Sequence, residues 1–263
     1  MLQTASGIVL KRFPFRDSGV TVKLLLENGQ SLMLSIHGIL ASRKRSNLIT
    51  EPGTVITAVY YEHSHGQGSL KEATVVRDFA GFKGNYDSLL ILSALLEIID
   101  YATRGGENRG LYILLEGGLQ ELEEKSIAVK CSLLSTDLRK WLLAFIGFFK
   151  IRLLKAIGMV GDTTICSECG DKLGVEAGRN HPELNFSCHE CSSHHTRQDG
   201  EIATLISQAA RLKFARYLSL LNESKINGDV LKEIDSVATN ALENFFDRQL
   251  LALTELKKHL GNK

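Results

Sequence analysis

Hydrophobic and polar positions follow two different periods along this chain, and the period changes near residue 85. In the first eighty residues, short runs rich in β-branched residues are separated by polar segments, a pattern typical of strands. These runs cover residues 6–11, 20–26, 32–36, 54–61 and 73–79. The sequence Glu-Asn-Gly-Gln at 27–30 predicts a hairpin between the second and third runs. Five short strands without room for crossover helices predict a small closed barrel, for which the OB fold is the first candidate.

From residue 85 onward, apolar residues recur with the 3.6-residue period of helices. Asp87 can cap a first helix, which the sequence Arg-Gly-Gly at 104–106 ends. The other predicted helices cover 111–124, with an interruption at Gly117 and Gly118, and 136–157, and begin near Ile202 and at Asp229. The second half of the chain is therefore predicted to be a helical bundle.

The composition is that of an ordinary globular protein, with 263 residues, 44% hydrophobic and 23% charged residues and a net charge of +1. The most apolar window, 141–158, contains Lys150, Arg152 and Lys155, so it predicts a buried helix and not a membrane span. The sequence has no Gly-Lys-Ser/Thr phosphate loop, which argues against a P-loop nucleotidase.

Two Cys-x-x-Cys pairs, separated by 18 residues, carry the strongest signal in the chain. Cys166 and Cys169 form the first pair, and Cys188 and Cys191 form the second. This spacing predicts one structural zinc ion per chain, bound by four thiolates that leave no position for a water ligand. The polar residues between the pairs predict a segment that needs the metal in order to fold. Two disulfides or a chance arrangement are the alternatives.

The compartment follows from the remaining features. No signal peptide is evident, and the fifth cysteine, Cys131, stands alone among apolar residues. Both features favour a reducing compartment such as the cytoplasm.

The predicted fold class is α+β and multidomain, with an N-terminal OB-fold β-barrel followed by an α-helical bundle with an inserted four-cysteine zinc module. The predicted parts are a nucleic-acid-binding domain at 1–80, a helical domain at 81–160 and 201–263, and the zinc module at 161–200.

Basic residues outnumber acidic ones in the first eighty residues, and three of them are consecutive. Arg43, Lys44 and Arg45 lie in the loop after the third predicted strand and offer cations to phosphate groups. The other candidate contacts to DNA in the barrel are Lys11, Arg12 and Lys23. A solvated loop that happens to be basic is the alternative interpretation.

Several motifs together resemble the bacterial recombination mediator family RecO across nearly the full length. The motifs are Gly-Ile-Val-Leu-Lys at 7–11, the glycine-led loop at 37–46, Glu-Pro-Gly at 51–53, Tyr-Tyr-Glu at 60–62, and the helix at 149–158 that runs into Cys-Ser-Glu-Cys-Gly at 166–170. The junction between this helix and the first cysteine pair is the most characteristic of these matches. One departure is that Leu40, Ala41 and Ser42 stand where the family often has further basic residues.

The resemblance implies a protein that binds single- and double-stranded DNA and anneals complementary strands without covalent chemistry. It implies RecR and the C-terminal tail of single-stranded DNA-binding protein (SSB) as partners, RecA as an indirect partner and no membrane association. It also implies a bacterial protein that acts in the cytoplasm at the nucleoid. The helical domain would contact the protein partners. Its candidate cations are Lys213, Arg216, Arg248, Lys257 and Lys258.

Two other functions fit parts of the sequence. A zinc-stapled adaptor that binds only proteins would use the helical surface and would leave the basic loop without a role. A zinc-dependent base deaminase would use His181 and Glu183 together with Cys188 and Cys191, which superficially match the motif of those enzymes. The four residues between Glu183 and Cys188 are too few for the strand and loop that such a site requires, and Cys166 and Cys169 would have no role.

Overall fold

The computed structural model describes residues 1–15, 18–42, 46–84, 86–130, 135–174, 177–180, 184–192 and 197–261. The chain divides into two compact units. The first unit combines Met1–Ser132 with Leu250–Lys263, and the second is Leu133–Gln249. The four-part division expected from the sequence stays a prediction.

Five strands form a closed barrel at the start of the first unit. They are β1 (Leu2–Phe15), β2 (Gly19–Leu26), β3 (Ser31–Ile36), β4 (Val55–Ser64) and β5 (Gln67–Arg77). The order around the barrel is β1-β2-β3-β5-β4, in which β3 and β5 pair in parallel and the other neighbours are antiparallel. The predicted OB-fold β-barrel is confirmed.

The alternation of the strands sets which side chains fill the barrel. In β2 and β3, Val22, Leu24 and Leu34 belong to the hydrophobic core and are fully buried. The predicted hairpin joins β2 to β3. Its Gly29 has a φ of +91°, and a Cβ there would lie 2.1 Å from the carbonyl carbon of Asn108. Glycine is therefore required at this turn both by conformation and by space.

Helices make up most of the remaining chain. They are α1 (Ala80–Lys83), α2 (Tyr86–Ala102), α3 (Arg109–Lys130), α4 (Ser135–Ala156), α5 (Arg197–Arg211), α6 (Phe214–Glu223), α7 (Gly228–Phe246) and α8 (Leu251–Gly261). Two short strands, β6 (Gly178–Asn180) and β7 (Asn185–Ser187), form a separate antiparallel pair before α5. No helix in the described ranges is long and apolar enough to cross a membrane.

Three details of the predicted helices are wrong. Helix α3 continues through Gly117 and Gly118, because four buried leucines on one face stabilise it by more than the roughly 1 kcal/mol that each glycine costs. These leucines are Leu111, Leu115, Leu119 and Leu122. Helix α6 was not predicted. The helix from Asp229 is not the last one, because α7 ends at Phe246, the next residue, Asp247, is left-handed with φ 48°, and α8 follows.

The C-terminal helix α8 belongs to the first unit, where it packs on α2. The carboxylate of Glu97 accepts hydrogen bonds from the backbone N–H groups of Leu251 and Ala252, at 3.1 and 2.8 Å. Glu97 therefore satisfies two of the N–H groups that a helix start leaves without partners. At the other end, His259 Nε2 lies 2.5 Å from Asp87 Oδ1. Both ends of α8 are thus fixed by acidic residues of one helix.

The second unit is built on the contact between α4 and α7. A buried ion pair lies in this contact, because Lys150 Nζ donates hydrogen bonds to Asp235 Oδ1 at 2.5 Å and to Thr239 Oγ1 at 2.8 Å. The side chains of Lys150 and Asp235 are only 1% and 9% exposed. Two charges removed from water to this degree are tolerated because they neutralise each other.

The substitution Asp235→Asn is expected to destabilise the second unit by about 3–5 kcal/mol, because it leaves the Lys150 ammonium buried without a counter-charge. Urea unfolding of the full-length protein measures this loss. The matched control is Asp229→Asn on the same helix, which removes an exposed pair with Lys232 and should cost far less stability than Asp235→Asn. Equal losses in the two variants would contradict the importance of the buried pair.

Candidate metal centre and nucleic-acid surface

The four paired cysteines converge on one point in the second unit. The sulfur atoms of Cys166, Cys169, Cys188 and Cys191 all lie within 4.8 Å of one another. The sulfurs of Cys169 and Cys188 are 3.7 Å apart. In a tetrahedral site with metal–sulfur distances of about 2.3 Å, neighbouring sulfurs lie about 3.8 Å apart. The predicted ligand set is therefore close enough to hold one metal ion.

Local turns and a small sheet place the cysteines. The first pair forms a turn in which the N–H of Gly170 donates to the carbonyl of Cys166, and Gly170 has a φ of +81°. In the second pair, the N–H of Cys191 donates to the carbonyl of Cys188, directly after β7. The two turns are tied together because the N–H of Ser167 donates to the carbonyl of Phe186 in β7.

A few apolar side chains support the metal centre, although the sequence suggested an almost entirely polar segment. Ala177, Leu184 and Phe186 are buried between the two cysteine pairs. Such a core is too small to stabilise the segment alone, because each fully buried side chain contributes only about 1.5–3 kcal/mol. A metal ion bound by all four sulfurs would therefore add the main connection between the two turns.

Backbone N–H groups point at the sulfur of Cys166, which is itself buried. Hydrogen bonds from the N–H groups of Cys169, Cys188 and Glu168 lower the pKa of the Cys166 thiol to about 6. The neighbouring thiols of Cys188 and Cys169 raise the pKa of Cys191, because sulfurs so close together cannot all carry negative charge unless a cation balances them. The donor set therefore has the chemistry of a metal ligand set.

The histidines of this segment are not part of the described sulfur cluster. His189 is exposed, and His181, His194 and His195 lie outside the described residues, as do Glu183 and the fifth cysteine, Cys131. The described residues bring together all four cysteines. This arrangement differs from a deaminase centre, in which three protein ligands leave a coordination position for water.

The predicted DNA-contacting residues of the barrel lie in several places. Arg43, Lys44 and Arg45 fall outside the described residues. Arg12 is exposed and pairs with Val22 across β1 and β2. Lys11 and Lys23 face each other across the same pair of strands. Their contact with DNA stays a prediction, and the structure gives two of them a further role.

Lys11 and Lys23 bind the same carboxylate in α2. Lys11 Nζ lies 2.7 Å from Asp100 Oδ2, and Lys23 Nζ lies 2.8 Å from Asp100 Oδ1 and 2.9 Å from Thr103 Oγ1. Burial by itself would raise the pKa of Asp100, but hydrogen bonds from Lys11 and Lys23 hold it below its usual value. The side chain of Lys23 is only 15% exposed and that of Lys11 is 36% exposed. The two lysines therefore fasten α2 to the barrel.

Sequence reasoning missed Asp100, although a signal was present. Asp100 lies four residues after Leu96, on the apolar stripe of its helix, where a charged side chain requires a buried partner. Its partners come from β1 and β2, and a helical pattern alone does not identify them.

The five candidate cations for protein partners are exposed, but they fall in both units. Lys213, Arg216 and Arg248 belong to the second unit, and Lys257 and Lys258 belong to the first. Arg216 pairs with Glu223 at 3.3 Å, and Lys258 pairs with Glu255 at 2.7 Å. The structure therefore does not gather these five residues into one surface within one unit.

No protein-family model matches the chain. Several curated proteins described as DNA repair protein RecO are similar to it. The protein of Leptospira biflexa is 24% identical over 260 residues, which are 97% of each chain. That of Exiguobacterium sibiricum is 25% identical over 251 residues, covering 94% of this chain and 92% of the relative. That of Syntrophus aciditrophicus is 25% identical over 165 residues, covering 62% and 58%.

The first two similarities extend over the barrel, the helices and the cysteine segment, since each covers more than nine-tenths of the chain. A match of this extent leaves no large part of the described fold without a counterpart in the relatives. The similarity to several RecO proteins along most of the chain supports its assignment to the RecO family.

Proposed function

We propose that this protein is a non-enzymatic, DNA-binding recombination mediator that acts in DNA repair on the bacterial chromosome. The observation that carries the proposal is the similarity, over 97% of both chains, to a protein described as DNA repair protein RecO. The relatives support a DNA repair function. The OB-fold barrel adds independent support, because this fold commonly binds nucleic acid on its surface.

The barrel would bind single-stranded DNA through its backbone. OB folds bind about 4–16 nucleotides, with cations that follow the phosphates and with little dependence on sequence. The consecutive cations Arg43, Lys44 and Arg45 and the exposed Arg12 would supply charge for these contacts. Neutralising the phosphates of two strands allows them to approach each other, which is how a protein without an active site accelerates annealing. Double-stranded DNA would be bound by the same phosphate contacts.

Protein partners would be bound mainly by helical surfaces. In this proposal RecR and the acidic C-terminal tail of SSB bind the protein, and the complex helps to load RecA on gapped DNA. Exposed cations such as Lys213 and Arg216 match the charge of an acidic tail.

The metal would be one structural zinc ion per chain. Soft thiolate ligands favour zinc, copper(I) and iron–sulfur clusters over hard cations such as magnesium and calcium. Among these, zinc is the ion typically held by four cysteines in two Cys-x-x-Cys pairs. Zinc would join the turn at Cys166 and Cys169 to the turn at Cys188 and Cys191. Four thiolates complete its coordination, so the residues of this centre stabilise the module and do not catalyse a reaction.

A zinc-stapled adaptor that binds only proteins is the second candidate. One observation favours it, because Asp100 engages two of the cations that the sequence assigned to DNA, Lys11 and Lys23. If the remaining cations of the barrel did not bind phosphate either, the helical surfaces would be left to carry the function.

Purified protein is expected to contain about one zinc ion per chain, as measured by elemental mass spectrometry. The double variant Cys188→Ser, Cys191→Ser should lose the metal, because two oxygen ligands replace two thiolates. The control Cys131→Ser removes the cysteine that lies outside the pairs, and this variant should retain the zinc ion. Full zinc content in the double variant would contradict the assigned ligand set.

The triple variant Arg43→Ala, Lys44→Ala, Arg45→Ala is expected to bind single-stranded DNA more weakly. The slope of log affinity against log salt should fall in magnitude by about 2, because each phosphate contact on a single strand contributes about 0.7. Fluorescence anisotropy over a range of salt concentrations measures both quantities. The charge-matched control replaces Arg109, Lys125 and Lys232, which lie in helices, and should leave the slope unchanged.

Annealing is tested separately, on complementary strands covered by SSB. The wild-type protein should accelerate duplex formation relative to a protein-free control. Failure to accelerate it would count against the mediator function. An unchanged salt slope in the triple variant would favour the adaptor or a different DNA surface.

A further inference from the structure

A small cavity in the second unit has an unusual set of polar groups around it. Its volume is about 200 Å³, and it lies between α5, the end of α4 and the segment before the first cysteine pair. The lining residues are Lys155, Val160, Gly161, Asp162, Thr163, Ser207, Ala210 and Arg211. None of these residues is a predicted ligand of the metal or a predicted contact of DNA.

Cations surround this cavity in excess over acidic groups. Lys155 Nζ and Arg152 Nη1 each donate a hydrogen bond of 2.9 Å to the carbonyl oxygen of Ala210. Arg211 Nη2 lies 3.2 Å from Asp162 Oδ1. Three positive charges therefore accompany one carboxylate here. Lys155 and Arg211 are exposed, so an anion from solvent can reach them.

Two hydroxyl groups in the cavity wall are buried without a partner among the described residues. The side chains belong to Thr163 and Ser207, which are 6% and 8% exposed. Neither hydroxyl forms a hydrogen bond with any residue in the described ranges. A buried polar group without a partner is destabilising, so such groups are rare unless a bound molecule supplies the missing hydrogen bond.

We propose that this cavity binds a phosphate group. A phosphate has several acceptor oxygens in a tetrahedral arrangement, so it can accept hydrogen bonds from donors that approach from different directions. Lys155 and Arg211 would supply charge, and the hydroxyls of Thr163 and Ser207 would each donate one hydrogen bond. The phosphate is either a free or monoester phosphate or a backbone phosphate of nucleic acid. Binding of free phosphate does not depend on the proposed DNA function.

The carboxylate of Asp162 reduces the positive charge but does not cancel it. The hydroxyl and the N–H of Thr164 donate to its Oδ1, at 2.5 and 2.9 Å, and Arg211 lies beside it. These donors hold the pKa of Asp162 below its usual value, so it is charged at neutral pH. Its Oδ1 is already occupied by Thr164 and Arg211, and the ammonium of Lys155 stays available to a second anion.

A purely structural role for the cations makes a different prediction. Lys155 and Arg152 of α4 donate to the carbonyl of Ala210 in the last turn of α5, where a helix end leaves carbonyl groups without a partner within the helix. If this were their whole role, replacing Lys155 would lower the stability of the protein. Added phosphate would then not bind in the cavity of either the variant or the wild type. The two roles are therefore separable by a titration.

The test uses the full-length, metal-loaded, ¹⁵N-labelled protein, titrated with inorganic phosphate at constant ionic strength. Saturable shifts of the amide resonances of residues 161–163 and of Ser207 are expected. Lys155→Gln should weaken binding about tenfold and Ser207→Ala about threefold, as expected for charged and neutral hydrogen bonds. Thr163→Val keeps the shape of the side chain and should weaken binding as Ser207→Ala does. The control Lys140→Gln on the same helix as Lys155 should bind as the wild type does.

A wild-type titration without saturable shifts at residues 161–163 would overturn the proposal. Equal affinity in Lys155→Gln, Ser207→Ala and the wild type would overturn it as well. Metal content and circular dichroism show which variants are folded. If Lys155→Gln does not fold, the phosphate affinities of Thr163→Val and Ser207→Ala decide whether the cavity binds phosphate.

The source of the phosphate is decided with a single-stranded oligonucleotide. If the site holds a backbone phosphate, the oligonucleotide displaces inorganic phosphate, and Lys155→Gln lowers the magnitude of the salt slope by about 0.7. If phosphate remains bound at saturating oligonucleotide, the ligand is a free phosphate or a phosphomonoester. A protein that binds phosphate but no DNA would contradict the proposed function and leave the phosphate site intact.

Discussion

Charge that is withdrawn from water must be balanced within the protein, and this requirement shapes each part of the chain. In the first unit Asp100 is balanced by Lys11 and Lys23, which ties α2 to two strands of the barrel. In the second unit Lys150 is balanced by Asp235, which ties α4 to α7. In the cysteine segment four sulfurs lie together, and thiolates so close require a cation.

The three cases differ in what provides the balance. Two are satisfied by side chains far away in the sequence, so the long-range contact and the charge pair form together. In the third, no side chain of opposite charge belongs to the cluster, and the proposed metal ion would supply the balance from solution. A buried pair contributes less to net stability than its geometry suggests, but it penalises every packing that separates the partners. The helices are therefore held in one arrangement by the cost of the alternatives.

The sequence predicted features that depend on local chemistry. Alternation and the Asn-Gly turn gave the strands, and the spacing of two cysteine pairs gave the cluster, because neighbouring residues determine both. Prediction from the sequence failed where residues far apart in the chain determine the structure. Gly117 and Gly118 remain helical because leucines of the same helix are buried against the rest of the unit. The partners of Asp100 and Lys150 are 77–89 residues away, beyond any local pattern.

Helix α8 has a consequence for how the polypeptide is made. Residues 251–261 complete the first unit, yet they leave the ribosome only after all of the second unit has emerged. Until then the carboxylate of Glu97 lacks the N–H donors at the start of α8, and the face of α2 that packs on α8 remains uncovered. During translation the inserted unit can therefore mature before the unit that encloses it in sequence, and the barrel-bearing half passes through an incomplete state in every round of synthesis.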